Sequence, residues 1–310
     1  MKRRIVLILI IAGVLLLTGG GVWWYVRVNT GWRILAKAQM AIKANQFDNA
    51  IDLSADYVHR FPQDWQGYYW QAQGYLRQGK YPESRQCLDK ILNSATPIPH
   101  DPLAVRILMA DTYGDEANRF LSSPEAYRKP IGVDAALSQL EQALAQLEAV
   151  SPFEIKGQID LAQAQAGHLM GVSQAHDIMA WIDQDARKTA GNTTVPSTAE
   201  GPSFAPAPAI DNRKMALGSL QKAVDKVVWV LSKDPSRGVC AQRAVEMCVR
   251  QQHVAGLEQL RTAVFALGDP PPAVAALLIA QEVQAPVTNS RPQRRRPASW
   301  TRSSNAIRRM

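Results

Sequence analysis

Five histidines, three cysteines and one short acidic run are the side chains whose types and spacing could do chemistry in this chain. His168 and His176 are eight residues apart, about two helical turns. Two imidazoles on one helix share a metal at i, i+3 or i, i+4, and no HExxH occurs. Asp111, Asp115 and Glu116 bring three carboxylates to the end of one predicted helix. Such carboxylates can divide general acid and general base work, but the adjoining sequence offers them neither a nucleophile nor an enclosed pocket. Cys87, Cys240 and Cys248 form no CxxC pair. Cys240 and Cys248 would stand about 12 Å apart along one helix, beyond disulfide reach, so all three read as small buried packing residues. Gly171-Val172-Ser173-Gln174 lacks the preceding strand of a nucleophile elbow. No phosphate-cradling glycine loop occurs. Asn192-Thr193-Thr194 is a glycosylation sequon only on a eukaryotic secretory route. The expectation is a protein that is not an enzyme, with no catalytic, cofactor or metal residues.

The elements available to position any site are helices. Ala, Gln and Leu are abundant, β-branched runs are rare beyond the N-terminus, and 46% of the 310 residues are hydrophobic. That composition predicts an all-α globular body rather than a disordered chain. The net charge of +8 is unevenly spread. Lys2, Arg3 and Arg4 contribute +3, the segment from Val287 to Met310 contributes +7, and the remainder stands at −2. A near-neutral body does not fit a grip on nucleic acid.

Met1-Lys2-Arg3-Arg4 precedes an uncharged apolar run from Ile5 to Val26, with Trp23, Trp24 and Tyr25 at its far end. As a helix the run would extend about 33 Å, enough for a hydrocarbon core of roughly 30 Å. Aromatics favour the headgroup layer, and the leading basic cluster places the N-terminus in the cytoplasm. No Ala-x-Ala cleavage site or lipobox cysteine follows. Residues 1–30 are therefore expected to be an uncleaved anchor in the inner membrane, contacting the lipid bilayer through residues 5–26, with the bulk of the chain on the outer side, which in a Gram-negative bacterium is the periplasm.

Phe47 and Tyr81 are 34 residues apart in like settings, Asn45-Gln46-Phe47-Asp48-Asn49-Ala50 against Gly79-Lys80-Tyr81-Pro82-Glu83-Ser84. The same shift aligns Ala38 with Ala72, Ala41 with Tyr75 and Tyr57 with Ile91. A fixed period of this length marks stacked helix-turn-helix units. On these residues the chain resembles the tetratricopeptide repeat (TPR) family, over residues 31 to about 285. In that family the small positions of helices A and B lie where the two helices cross. Residues 31–98 hold two regular units, with Tyr68, Ala72, Tyr75, Tyr81, Ser84, Leu88 and Ile91 at the pattern positions of the second. Residues 99–285 hold about three irregular units, with insertions at 114–131 and 189–210 and a final helix that could cap the solenoid. Their helix B small residues are Ala136, Ala223 and Gly256. Residues 286–310, with seven arginines and no acid, are expected to be a disordered tail. The unpartnered apolar helix before it also allows a truncated form of a longer repeat protein.

The resemblance implies an all-α solenoid whose concave face is lined by A helices and binds a protein or peptide. It places Gln39, Lys43, Tyr69, Gln73, Arg77, Ile107 and Asp111 on that face. The Lys/Asn clamp of chaperone-tail receptors is not reproduced, since Leu35 and Gln39 occupy those places. The implied function is a non-enzymatic, membrane-anchored adaptor. The alternative is a regulatory or architectural subunit of a membrane-bound enzyme or secretion complex.

Overall fold

A computed structural model describes residues 30–94, 102–191 and 211–267, together with Val274, Ala275 and Leu278. Among the described residues the chain is helical apart from its connections. After α1 (residues 30–43) come α2 (Phe47–Arg60), α3 (Trp65–Arg77), α4 (Tyr81–Leu92), α5 (Pro102–Leu121) and α6 (Pro130–Glu148). Then follow α7 (Ile155–Gly191), α8 (Asn212–Lys233), a 3-10 turn at Pro235–Arg237, α9 (Gly238–Arg250) and α10 (Val254–Phe265). α1 packs on α2 through Ile34, Leu35 and Tyr57, each later helix packs on the next, and α3, α5, α7 and α9 also touch in series. The fold is the all-α, TPR-like stack of helix pairs that the 34-residue period predicts.

The period is visible in the backbone. Asn45, Gly79 and Gln252 adopt left-handed conformations at φ 58°, 73° and 56°. Each ends an A helix in the same way. The amides of Gln46, Lys80 and His253 return to the carbonyls of Ala41, Tyr75 and Cys248 at 2.8, 2.9 and 2.8 Å. The amides of Asn45, Gly79 and Gln252 return to those of Ile42, Leu76 and Val249 at 3.0, 2.9 and 3.1 Å. This double return satisfies helix-end carbonyls and reverses the chain within three residues. Only glycine enters that backbone region without a steric cost, so Asn45 and Gln252 are the dearer versions of one turn.

Small side chains let the paired helices approach. Ala38 and Ala50, Ala72 and Ser84 are all buried. Ser84 Oγ donates to the Ala72 carbonyl at 2.8 Å, so the crossing also satisfies the one polar atom it buries. At the last pair even a Cβ is excluded, because one built on Gly256 would stand 2.9 Å from Cys248 Sγ.

The insertion expected at 114–131 takes the form of added helix. α5 runs through Gly114 to Leu121, and a turn leads to Pro130 at the start of α6. The small crossing positions repeat with it. Ala117 joins Ala136 in one core cluster and Ala110 joins Ala143 in the next, seven residues along on both helices. A seven-residue extension adds about two turns and keeps the same face inward, so the pair lengthens without changing its packing. In α7, 37 residues long, Val172, Ala175 and Ile178 pack with α5 and α6. Ala166 and Met170 of the same helix join the core of α8, α9 and α10. Residues 192–210, which cover most of the second expected insertion, lie outside the described residues.

Capping follows the sequence. Asp64 accepts from the Gln66 amide at 3.0 Å and Asp211 from the Lys214 amide at 3.1 Å. The Tyr57 hydroxyl donates to Asp64, fixing the end of α2 against the start of α3. Cys87 and Cys248 are buried and Cys240 is half-buried, all as free thiols. Burial pushes Cys87 to about 11 and Cys248 to about 12, which leaves them unreactive at neutral pH. Val274 and Leu278 bury against the α8–α10 core, where the expected final helix would begin. Among the described residues no helix is long and apolar enough to cross a membrane. The expected anchor before Thr30 and the tail at 286–310 lie outside them.

Two outcomes follow from the crossings and turns. Ala72→Leu overfills the closest approach of α3 and α4, and urea unfolding should show a loss of about 1–3 kcal/mol. Gln252→Gly removes the strain of a left-handed glutamine at an exposed site, and should raise stability by up to about 1 kcal/mol in the same assay.

Candidate functional site

The A helices α3, α5 and α7 form the walls of one open cleft of about 490 Å³, which the 3-10 turn and α9 close at one side. α3 contributes Tyr69 and Gln73, and α5 contributes Ile107 and Leu108 with Asp111, Asp115 and Asn118 further along. α7 supplies Asp160, Gln163, Gly167 and His168, while Arg237 and Arg243 enter from beyond it. These elements meet because the small residues of the crossings face the B helices, which turns the larger A-helix residues the other way.

Four of the seven residues expected on the inner face line this cleft, namely Tyr69, Gln73, Ile107 and Asp111. Gln73 Nε2 donates to the Tyr69 hydroxyl at 3.0 Å, so the two act as one polar edge. Arg77 is exposed at the end of α3 and exerts its charge on Asp115 without lining the cleft. Gln39 and Lys43 are exposed on α1, one pair away, and the cleft does not reach them.

Asp115, Asn118, Asp160, His168, Arg237 and Arg243 line the cleft without having been expected there. A regular A helix ends near Tyr113, whereas α5 continues for two turns and carries the inner face with it. The spacing Asp111, Asp115, Asn118 was the available signal, since i, i+4 and i+7 fall on one stripe. The acidic run itself is split. Glu116 turns away to pair with Arg85 of α4 at 2.7 Å, and Arg85 also lies over the Tyr113 ring at 4.7 Å. Asp111 and Asp115 face the cleft.

The electrostatics are uneven. Arg237 pairs with Asp160 at 2.7 Å and with Asp234 at 3.3 Å. His168 Nε2 stands 3.6 Å from Asp111 Oδ1, too long for a hydrogen bond. Both ring nitrogens of His168, and Asn118 Oδ1, are buried with no hydrogen-bond partner among the described residues. A buried polar atom left in that condition costs about 1–3 kcal/mol. Loss of water contact within the cleft, and then the neighbouring Asp111, push the Asp115 carboxyl above its ordinary range. His168, Arg77 and Arg243 partly oppose that shift. Asp115 keeps access to solvent along the open side while the walls crowd its charge.

His168 occupies its place because α5 has no side chain at residue 114. A Cβ on Gly114 would stand 2.3 Å from His168 Cε1 and 2.4 Å from Nδ1. Glycine inside a helix costs roughly 1 kcal/mol against alanine, and here the vacancy seats the imidazole. Among the described residues no group of three or more His, Cys, Asp or Glu side chains is placed to hold a metal ion.

No protein-family model matches this chain, and no curated protein matches it. Among solved structures, TTC0263, a thermophilic TPR protein of Thermus thermophilus, matches 82% of this chain and 97% of its own length. The identity is 15% and the TM-score 0.38. The repeat architecture rests instead on the turns and crossings described above.

The seat of His168 is open to a direct check. Gly114→Ala gains helix propensity yet should lower stability by about 1–3 kcal/mol, because the ring must leave its place. In the Gly114→Ala, His168→Ala double variant the two losses should fall short of additive in urea unfolding, reporting the contact itself.

Proposed function

We propose that the chain is a non-enzymatic adaptor that holds a segment of a protein partner in the cleft of α3, α5, α7 and α9, which serves as the concave face of the stack. The supporting observation is that successive A helices give one open surface in which an apolar floor (Ile107, Leu108) lies beside polar and charged groups. That mixture suits an extended or helical peptide. Apolar contacts supply affinity, and hydrogen bonds from groups such as Gln73 fix register. A stack of helix pairs also presents its face without a conformational change, which limits the entropy lost on binding.

The adaptor is tethered, on this reading, by residues 5–26 in the inner membrane, with the N-terminus cytoplasmic and the helical body periplasmic. The support is the uncharged run between Lys2-Arg3-Arg4 and Arg27 and its terminal aromatics. A body held beside the bilayer would collect components of an envelope assembly at the membrane surface, because a tether raises effective concentration.

Cross-linking from the full chain in its membrane, followed by recovery of attached proteins, tests the cleft. Gln73→Ala with Ile107→Glu should remove the proteins captured by the wild type while circular dichroism keeps its helicity. Lys43→Glu with Arg77→Glu should weaken capture only if the partner extends towards α1. Unchanged capture by the first pair takes the cleft out of the account. For the topology, alkaline phosphatase fused after Leu267 should be active, and an inactive, cytoplasmic fusion would reverse the orientation.

A further inference from the structure

Three half-buried carboxylates of this molecule meet an arginine from another element, and Asp64 meets the Tyr57 hydroxyl. Glu116 has Arg85, Asp177 has Arg213 and Asp160 has Arg237. Asp111 and Asp115 are treated differently. Asp111 has only the ring of His168, at 3.6 Å, and Asp115 has no ion-pair partner among the described residues. They lie one turn apart on α5, with Asn118 next along the same stripe. Behind them stands His168, 5% exposed, lining the cleft with both ring nitrogens unpartnered. Asn118 Oδ1 is likewise buried without a donor. Asp111, Asp115 and Asn118 Oδ1 thus give this stripe of α5 a surplus of acceptor oxygens, with Arg243 entering the cleft from α9.

We propose that Asp111 and Asp115, backed by Asn118 and His168, form a socket for one basic side chain of the bound partner, by preference an arginine. This inference rests on the reading of the cleft as a partner-binding face. A guanidinium carries five N–H donors in a planar fork and spans two carboxylates as a compact ammonium does not. Ile107 and Leu108, one turn before Asp111, give its methylene stem an apolar surface to lie on. The other charges in and beside the cleft limit the socket to one cation. Arg77 from α3 and Arg243 from α9 act on Asp115 from either side, and Arg237 is already held by Asp160 and Asp234. A run of basic residues would meet these arginines, whereas a single arginine between neutral or acidic neighbours would not.

The test uses the full chain in lipid nanodiscs and random dodecapeptides displayed on phage. Retained peptides should share arginine or lysine at one position, and the Ile107→Glu variant should retain none of them. In fluorescence anisotropy, replacing that arginine by citrulline should weaken a selected peptide by at least about tenfold. Asp111→Asn with Asp115→Asn should weaken the arginine peptide as much, and the citrulline peptide by less than about twofold, because the two changes remove one interaction. Both aspartates face the open cleft, so circular dichroism of the double variant should match the wild type. Peptides that need Ile107 yet show no basic preference, or bind equally as citrulline forms, overturn the socket and leave the cleft reading intact. Recovery of no peptide, or only of peptides indifferent to Ile107→Glu, overturns both.

Discussion

The closeness with which two helices can cross depends on the smallest side chain between them. At Ala38 and Ala50, at Ala72 and Ser84, and at Ala110, Ala117, Ala136 and Ala143, that side chain is no larger than a methyl or hydroxymethyl group and is buried. At Gly256 it is absent. Backbones approach there, dispersion contacts accumulate along both helices, and the larger apolar residues on either side close the core. Each pair so formed still has an uncovered apolar stripe, and the next pair covers it. The cleft is what remains on the far side of the A helices once their small faces have been used.

The same economy of size operates within the site. Gly114 leaves room in α5 for an imidazole from α7, and the imidazole sits beside Asp111 without closing a hydrogen bond. A helix interior normally favours alanine over glycine, and a buried histidine normally finds a partner. Two departures from those rules meet at one contact, in the wall of the groove the A helices share. Departures of this kind concentrate where a surface has work beyond its own folding.

Much of the fold was legible in the residues. The 34-residue shift between Phe47 and Tyr81 fixed the two regular pairs, and Asn45 and Gly79 in the aligned turns both adopt positive φ. The helix start at Asn212 agrees with the expected end of the second insertion at 210, whereas α6 begins at Pro130, inside the stretch 114–131 expected as an insertion, because proline fits a first helical turn. The site was half legible. Tyr69, Gln73, Ile107 and Asp111 follow from the regular frame. Asp115 and Asn118 do not, because they lie on turns that a regular A helix lacks. His168 was hidden by a different cause. α7 is apolar on two faces, since it packs against pairs on both sides, and such a helix gives no single inward stripe from which to read a register. The nearness of His168 to Gly114 is a contact across 54 positions that no local pattern encodes.

α7 also sets how the molecule comes apart. In an array of equal repeats each unit holds only its neighbours, and melting can begin anywhere. A rod of about 55 Å that shares one core with α5 and α6 and another with α8, α9 and α10 removes that freedom from the larger part of the chain. Those helices are coupled through shared cores, and α3 and α4 join them through a core with α5, while α1 and α2 share only a small cluster and can fray from their own end first. The long helix thus ties most of the described body into one cooperative unit and leaves the first pair the easiest to detach.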